Sequence, residues 1–206
     1  MAEEQTAQWE QDEKQFLDRC MEAVASGDRA AFARLYERMS AAVYGFALSI
    51  VQERTDAEDV MQTVFLGIWD HAGQYRPGTD PKAWILKITR NQALMLLRRR
   101  KRTVVLEEYP EEAGGDEAAS ATDRLLLQTL LSRLDEMERQ IVMLFAVEGY
   151  SHKEIASILG KPYATVRWKY SNAMKKLAKR LEEEERAADS LAEASSSAEI
   201  RRFASL

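Results

Sequence analysis

The stretch SHKEIASILGKPYATVRWKYSNAMKKL, Ser151 to Leu177, gathers Lys153, Lys161, Arg167, Lys169, Lys175 and Lys176 around Tyr163, Trp168 and Tyr170, with Glu154 as its sole acid. No acid falls between Ile155 and Leu181. Cations interleaved with flat rings and amides suit a polyanion built of phosphates and bases. Lys and Arg neutralise phosphates and release counterions, while Asn, Arg and apolar side chains meet base edges. A charge run is more often just a solvated face. Here, however, it stands in a chain of 206 residues with formal net charge -5 and pI near 5.3, so the basic character is local and runs against the background.

The elements that position these residues are legible around them. Ser151 and Glu154 have the spacing of a capping box. Ile155, Ala156 and Leu159 give the following helix one apolar face, Gly160 ends it, and Lys161-Pro162 prevents its continuation. A second helix is expected from about Ala164, with Val166, Tyr170, Ala173 and Leu177 inward. Two helices about a Gly-containing turn form a helix-turn-helix. Thr165, Arg167, Trp168, Lys169, Ser171 and Asn172 are then expected at major-groove base edges. Lys161, Lys175, Lys176, Lys179 and Arg180 are expected at phosphates.

A second basic cluster, Arg98, Arg99, Arg100, Lys101 and Arg102, ends an earlier helical pattern carrying Trp84, Ile85, Ile88 and Leu94. A helix end accounts for one or two cations through its dipole, not for five. Upstream, residues 1–25 carry Trp9, Phe16, Leu17, Cys20, Met21 and Val24 at helical spacing, and Ser26-Gly27-Asp28 breaks the pattern. A further helix runs from Arg29 through Phe32, Leu35, Met39, Val43, Phe46 and Ile50. Thr55 or Asp56 is suited to cap the next, whose inner stripe is Val60, Val64, Phe65, Ile68 and Trp69. Asp56, Asp59, Gln62, Thr63 and Leu66 are left on its outer faces, an acidic and polar surface with one apolar contact that suits a basic partner helix. His71 to Asp80, HAGQYRPGTD, reads as a loop, and Asp80-Pro81 as a cap followed by a first-turn proline.

Between the clusters, residues 103–122 include EEYPEEAGGDEAAS, rich in acid and free of base, which reads as a flexible linker. The expected fold is all-α: two small helical domains, 1–102 and 123–182, joined by that linker and followed by a tail at 183–206. Ile200, Phe203 and Leu206 in the tail have spacing that could dock on either domain. Hydrophobic content of 46% with 31% charged residues excludes a disordered chain. One cysteine, no membrane-length apolar run and an acidic N-terminus point to a cytoplasmic protein without membrane insertion.

No catalytic, cofactor or metal site is expected. His71 and His152 are the only histidines, and neither has a Cys or second His at ligand spacing. Cys20 lies on an apolar stripe as a structural thiol. A two-domain repressor would need a dimer face or effector pocket, of which residues 28–102 carry no signature. A pure scaffold would leave both basic clusters without a purpose.

In order, GDRAAFARLYERMSAAVYGFALSIV, DAEDVMQTVFLGIW and DPKAWILKITRNQALMLLRRRKR resemble the region 2 core helices of the bacterial sigma-70 family, in its compact extracytoplasmic-function (ECF) group. Residues 128–181 resemble region 4 of that group, its helix-turn-helix included. The resemblance implies a dissociable RNA polymerase subunit that selects promoters. Region 2 is expected on a coiled coil of the large catalytic subunit through Asp56, Asp59, Gln62, Thr63 and Leu66. It is also expected to melt the "-10" element, with a flipped-base pocket at the Tyr75–Arg76 loop and a strand track of Lys82, Lys87, Arg90 and Asn91. The Arg98–Arg102 run suits duplex phosphates. Region 4 is expected to bind the "-35" duplex and the flap of the other large subunit. An anti-sigma partner is also implied. Thr89, Met95, Trp168, Tyr170 and Asn172 depart from the group's usual pattern, which bears on the "-35" sequence read.

Overall fold

A computed structural model describes residues 2–104, 131 and 133–203, with side chains described for 8–101 except 10, and for 131, 133–183 and 186. Seven α-helices are present among the described residues: α1 Ala2–Ala25, α2 Arg29–Val51, α3 Arg54–His71, α4 Pro81–Val104, α5 Glu136–Val142, α6 His152–Leu159 and α7 Tyr163–Phe203. A 3-10 turn, Ala72–Gln74, follows α3, and a π-helical turn, Met143–Val147, widens the end of α5. None of the described helices is long and apolar enough to cross a membrane.

Short polar residues set the helix starts. Asp28 accepts the Ala30 and Ala31 N–H groups at 2.8 and 3.1 Å to begin α2. Asp80 accepts from Ala83 N–H at 2.9 Å, with Pro81 at the first position of α4. The start of α3 differs from expectation. Glu53, not Thr55 or Asp56, is the cap, accepting from Thr55 and Asp56 N–H at 3.0 and 2.7 Å. Gln52, just before it, ends α2 in a left-handed conformation, φ 60°.

α2 is the central element of the first module. Leu35, Met39, Phe46 and Ile50 are fully buried, and α1, α3 and α4 cover it with Leu17 and Met21, Val64 and Ile68, and Ile85 and Leu86. Phe32 sets its ring edge-on to Phe65 and Trp69, at 6.2 and 5.3 Å. Trp84 packs edge-on against Tyr75 at 5.7 Å, in keeping with a core role.

The second module is α5, the π turn, α6 and the start of α7. Its Ile141, Leu144, Ile155, Ile158 and Val166 are buried in the same continuous cluster as α2. The modules are therefore docked on one another. The expected linker lies outside the described residues beyond Val104. The expected tail at 183–206 is helical as far as Phe203, because α7 continues through it, with an exposed i, i+4 pair of Glu182 and Arg186 at 3.7 Å near its start. The side chains of Ile200 and Phe203, and all of Leu206, lie outside the described residues.

Candidate nucleic-acid interface

The helix-turn-helix is built by local chemistry. Ser151 Oγ accepts from Glu154 N–H while the Glu154 carboxylate accepts from Ser151 N–H at 2.9 Å, a complete capping box. Gly160 closes α6 at φ 61°, a conformation in which a Cβ would be strained. Phe145, His152 and Tyr170 then stack as an aromatic triad with centroids 4.6–4.7 Å apart, bracing α7 against α6 and the π turn. His152 thus has a packing role.

With 100° per residue, Trp168, Ser171 and Lys175 form the outward centre of α7. All three are exposed, Trp168 by 59%. Arg167 flanks them on one side, and half-buried Thr165 and Asn172 on the other. Lys161 is exposed in the turn. The lysines at 169 and 176 differ from this group. They lie seven residues apart on the side facing α5, where Lys169 bonds to Asp135 and Lys176 to Glu138, the latter at 2.6 Å. Glu138 is buried, and its carboxylate also accepts from Asp135 N–H at 2.9 Å. Burial pushes the Asp135 carboxyl up, but the Lys169 ammonium and the Glu138 N–H outweigh it and hold it below its usual range. Lys169 is raised in return. In this conformation both lysines tie the reading helix to α5.

On α4, Lys87, Asn91, Arg98 and Lys101 are exposed along one face, a span of about 21 Å at 1.5 Å per residue. Arg76 is exposed in the preceding loop and Arg99 beside the track. Other members of the expected "-10" set are engaged elsewhere. Tyr75 is buried and donates to the Asp18 carboxylate, so it is not a free stacking platform. Lys82 pairs with Glu148 at 2.9 Å. Arg90 is half-buried and donates to Gln140 Oε1 at 2.8 Å. Arg100 pairs with Asp56 at 2.7 Å. Arg102 lies outside the described side chains.

On α3, Asp59, Gln62, Thr63 and Leu66 are exposed, Leu66 by 67%. Asp56 is corrected: it is 3% exposed, turned inward to Arg100. A groove beside this surface brings in Gln92, Met95 and Leu96 of α4 along with Asp59 and Thr63. Sequence reasoning missed these three as part of this surface, although Met95, an apolar residue at helical spacing from Asn91, Gln92, Arg98 and Arg99, was the available signal.

Comparison with known proteins gives the family of this fold. Residues 35–103 match the family described as Sigma-70 region 2, and residues 124–177 match Sigma-70, region 4. The chain is 34% identical over 79 residues to the ECF RNA polymerase sigma factor SigK of Mycobacterium sp. (strain KMS), covering 38% of this chain. That match spans only 41% of the relative's length. It is 31% identical over 144 residues to the RNA polymerase sigma factor CarQ of Myxococcus xanthus, 68% of this chain and 83% of CarQ. Among solved structures, CnrH in complex with the cytosolic domain of CnrY superposes with a TM-score of 0.64 at 25% identity, over 81% of this chain and 97% of that one. The chain belongs to the sigma-70 family, as an ECF sigma factor carrying regions 2 and 4.

Proposed function

We propose that this chain binds core RNA polymerase and directs promoter-specific transcription initiation, reading the "-35" element as duplex and melting the "-10" element. RNA synthesis belongs to the polymerase, and the chain itself is not an enzyme. One observation carries the reading: α7 of a helix-turn-helix presents Trp168, Ser171 and Lys175 outward in a chain whose region 2 and region 4 matches follow in order. Arg167, Thr165 and Asn172 complete the base-reading set, with Lys161 and Lys175 at phosphates. The α4 track of Lys87, Asn91, Arg98 and Lys101 leads the displaced strand, with Arg76 at its entrance. Asp59, Gln62, Thr63 and Leu66 meet a basic coiled coil of the polymerase's large catalytic subunit, and region 4 meets the flap of the other large subunit.

The protein works in the cytoplasm, where the polymerase is. A protein inhibitor, an anti-sigma factor, covers these surfaces when the chain is idle. The complex of CnrH with the cytosolic domain of CnrY supports such a partner. The test is association: tight binding to core polymerase, lost in Leu66→Glu with Asp59→Lys, and weak binding to duplex promoter DNA by the chain alone. Tight duplex binding without polymerase would make it a repressor instead.

A further inference from the structure

We infer that Asp18 of α1 is a positioning residue for base selection: one of its carboxylate oxygens holds the exposed loop before α4 in the shape that receives an unpaired base. The tie is geometry; its role in base selection rests on the proposed sigma activity.

Local bonds shape the loop but do not place it. Tyr75 N–H donates to Ala72 O at 3.0 Å. Thr79 donates to Arg76 O through its N–H at 3.3 Å and its hydroxyl at 2.7 Å, and Asp80 caps α4. Asp18 supplies the placement. Its Oδ1 accepts from the Tyr75 hydroxyl and from Gly78 N–H, the latter at 3.3 Å, across 57 and 60 residues of sequence. Gly78 makes its turn at φ 80°, a conformation that favours glycine. Tyr75 is buried and Trp84 sets its ring edge-on, so its hydroxyl rather than its face has the working role.

Arg76 and Pro77 lie between the two tied residues, and both are exposed, as are Gln74 and Thr79. A base turned out of the duplex meets this edge of amide, guanidinium and backbone groups. Discrimination by such groups depends on where they stand, because the wrong base leaves them unpaired. A loop that must be ordered on binding also draws on binding free energy. Asp18 completes that ordering before DNA arrives.

α1 keeps its own place without Asp18. Leu17, Cys20, Met21 and Val24 are buried in the core, and Glu13 pairs with Arg38 of α2 at 2.8 Å. The carboxylate can therefore be removed without removing the helix. Asp18 also lies outside the region 2 match, which begins at residue 35.

The test uses the full chain. Without polymerase, amide nitrogen relaxation should show Arg76 and Gly78 as rigid as the helices, with order parameters of about 0.85 that fall below about 0.6 in Asp18→Ala. With core polymerase on a random promoter library, Asp18→Ala should weaken base discrimination within the downstream block about tenfold, the loss of hydrogen bonds to a charge. Discrimination in the upstream block and binding to polymerase should not change. Asp18→Asn keeps an acceptor oxygen and should recover to within about threefold of wild type. Tyr75→Phe should add nothing in the Asp18→Ala background, because both changes remove the same bond. Should circular dichroism show Asp18→Ala unfolded, Tyr75→Phe alone decides, with a loss of about threefold expected. A loop as rigid without Asp18 overturns the tie. Undiminished discrimination with the loop loosened overturns the positioning role, and so do equal losses in both blocks. Should the wild type start no messages at defined sites, the sigma reading falls, while the relaxation result still decides the tie.

Discussion

Arg100, near the end of α4, closes a 2.7 Å ion pair with Asp56 in the first turn of α3. The acid is buried and the guanidinium about half exposed, so one member of a run of five cations is structural. Removing it takes the 2.7 Å cationic partner from a buried carboxylate. Arg100→Ala should cost about 1–3 kcal/mol in urea unfolding, less than for a fully buried pair because water reaches the guanidinium. Arg98→Ala, exposed on the track, should stay within about 0.5 kcal/mol of wild type and act on DNA binding alone.

Tyr75 makes a second prediction, about pH. Burial pushes its phenol up from 10.0 to about 12, and the hydrogen bond to Asp18 adds to it. The folded state thus favours the neutral phenol. Its contribution is complete below the ordinary tyrosine range and is lost as pH rises through about 12. Tyr150 is pushed higher still, by burial first and then by Asp80. An alkaline absorbance titration should show tyrosines that ionise late, with Tyr75→Phe removing one. The same variant should cost about 1–2 kcal/mol by leaving Asp18 short of a donor.

The α6–α7 turn yields a third. Gly160→Ala places a Cβ at φ 61° and should cost about 1–2 kcal/mol. Ser151→Ala, which removes half the capping box, should cost about 1 kcal/mol. Thermal melts of the full chain read both. A melting temperature unchanged in either variant would contradict the geometry of the turn.

Those two positions also show what the sequence makes legible. Ser151, Glu154 and Gly160 are neighbours, and each helix boundary there depends on a few consecutive residues. The apolar stripes of α2 and α3 are equally local. What escaped reading depends on distant partners. Asp56 looks like an outer acid until α4 brings Arg100 to it, 44 residues on. Tyr75 looks like a free platform until α1 brings Asp18. The ion pairs of Lys169 and Lys176 depend on Asp135 and Glu138, more than 30 residues away. Composition marked an acidic linker and so suggested separate domains. The docking surface itself, Gly45 against Met143 and Arg139 against Ser49, has no sequence signature.

The two kinds of lysine on α7 separate in salt. On duplex "-35" DNA bound with core polymerase, Lys175→Met should lower the slope of log K against log salt by about 0.9, the loss of one phosphate contact. Lys176→Met should leave that slope unchanged and instead destabilise the module, because Glu138 stays buried without its cation. Equal slope changes in both would return Lys176 to the phosphate-binding set.

The most direct test of sigma activity is transcription in vitro, with purified chain and core RNA polymerase on a random promoter library. Messages should begin at defined sites that share two sequence blocks. Arg167→Ala with Trp168→Ala should abolish the upstream block's influence and leave the downstream block in place. Transcripts that start no differently with and without the chain would contradict the proposed function.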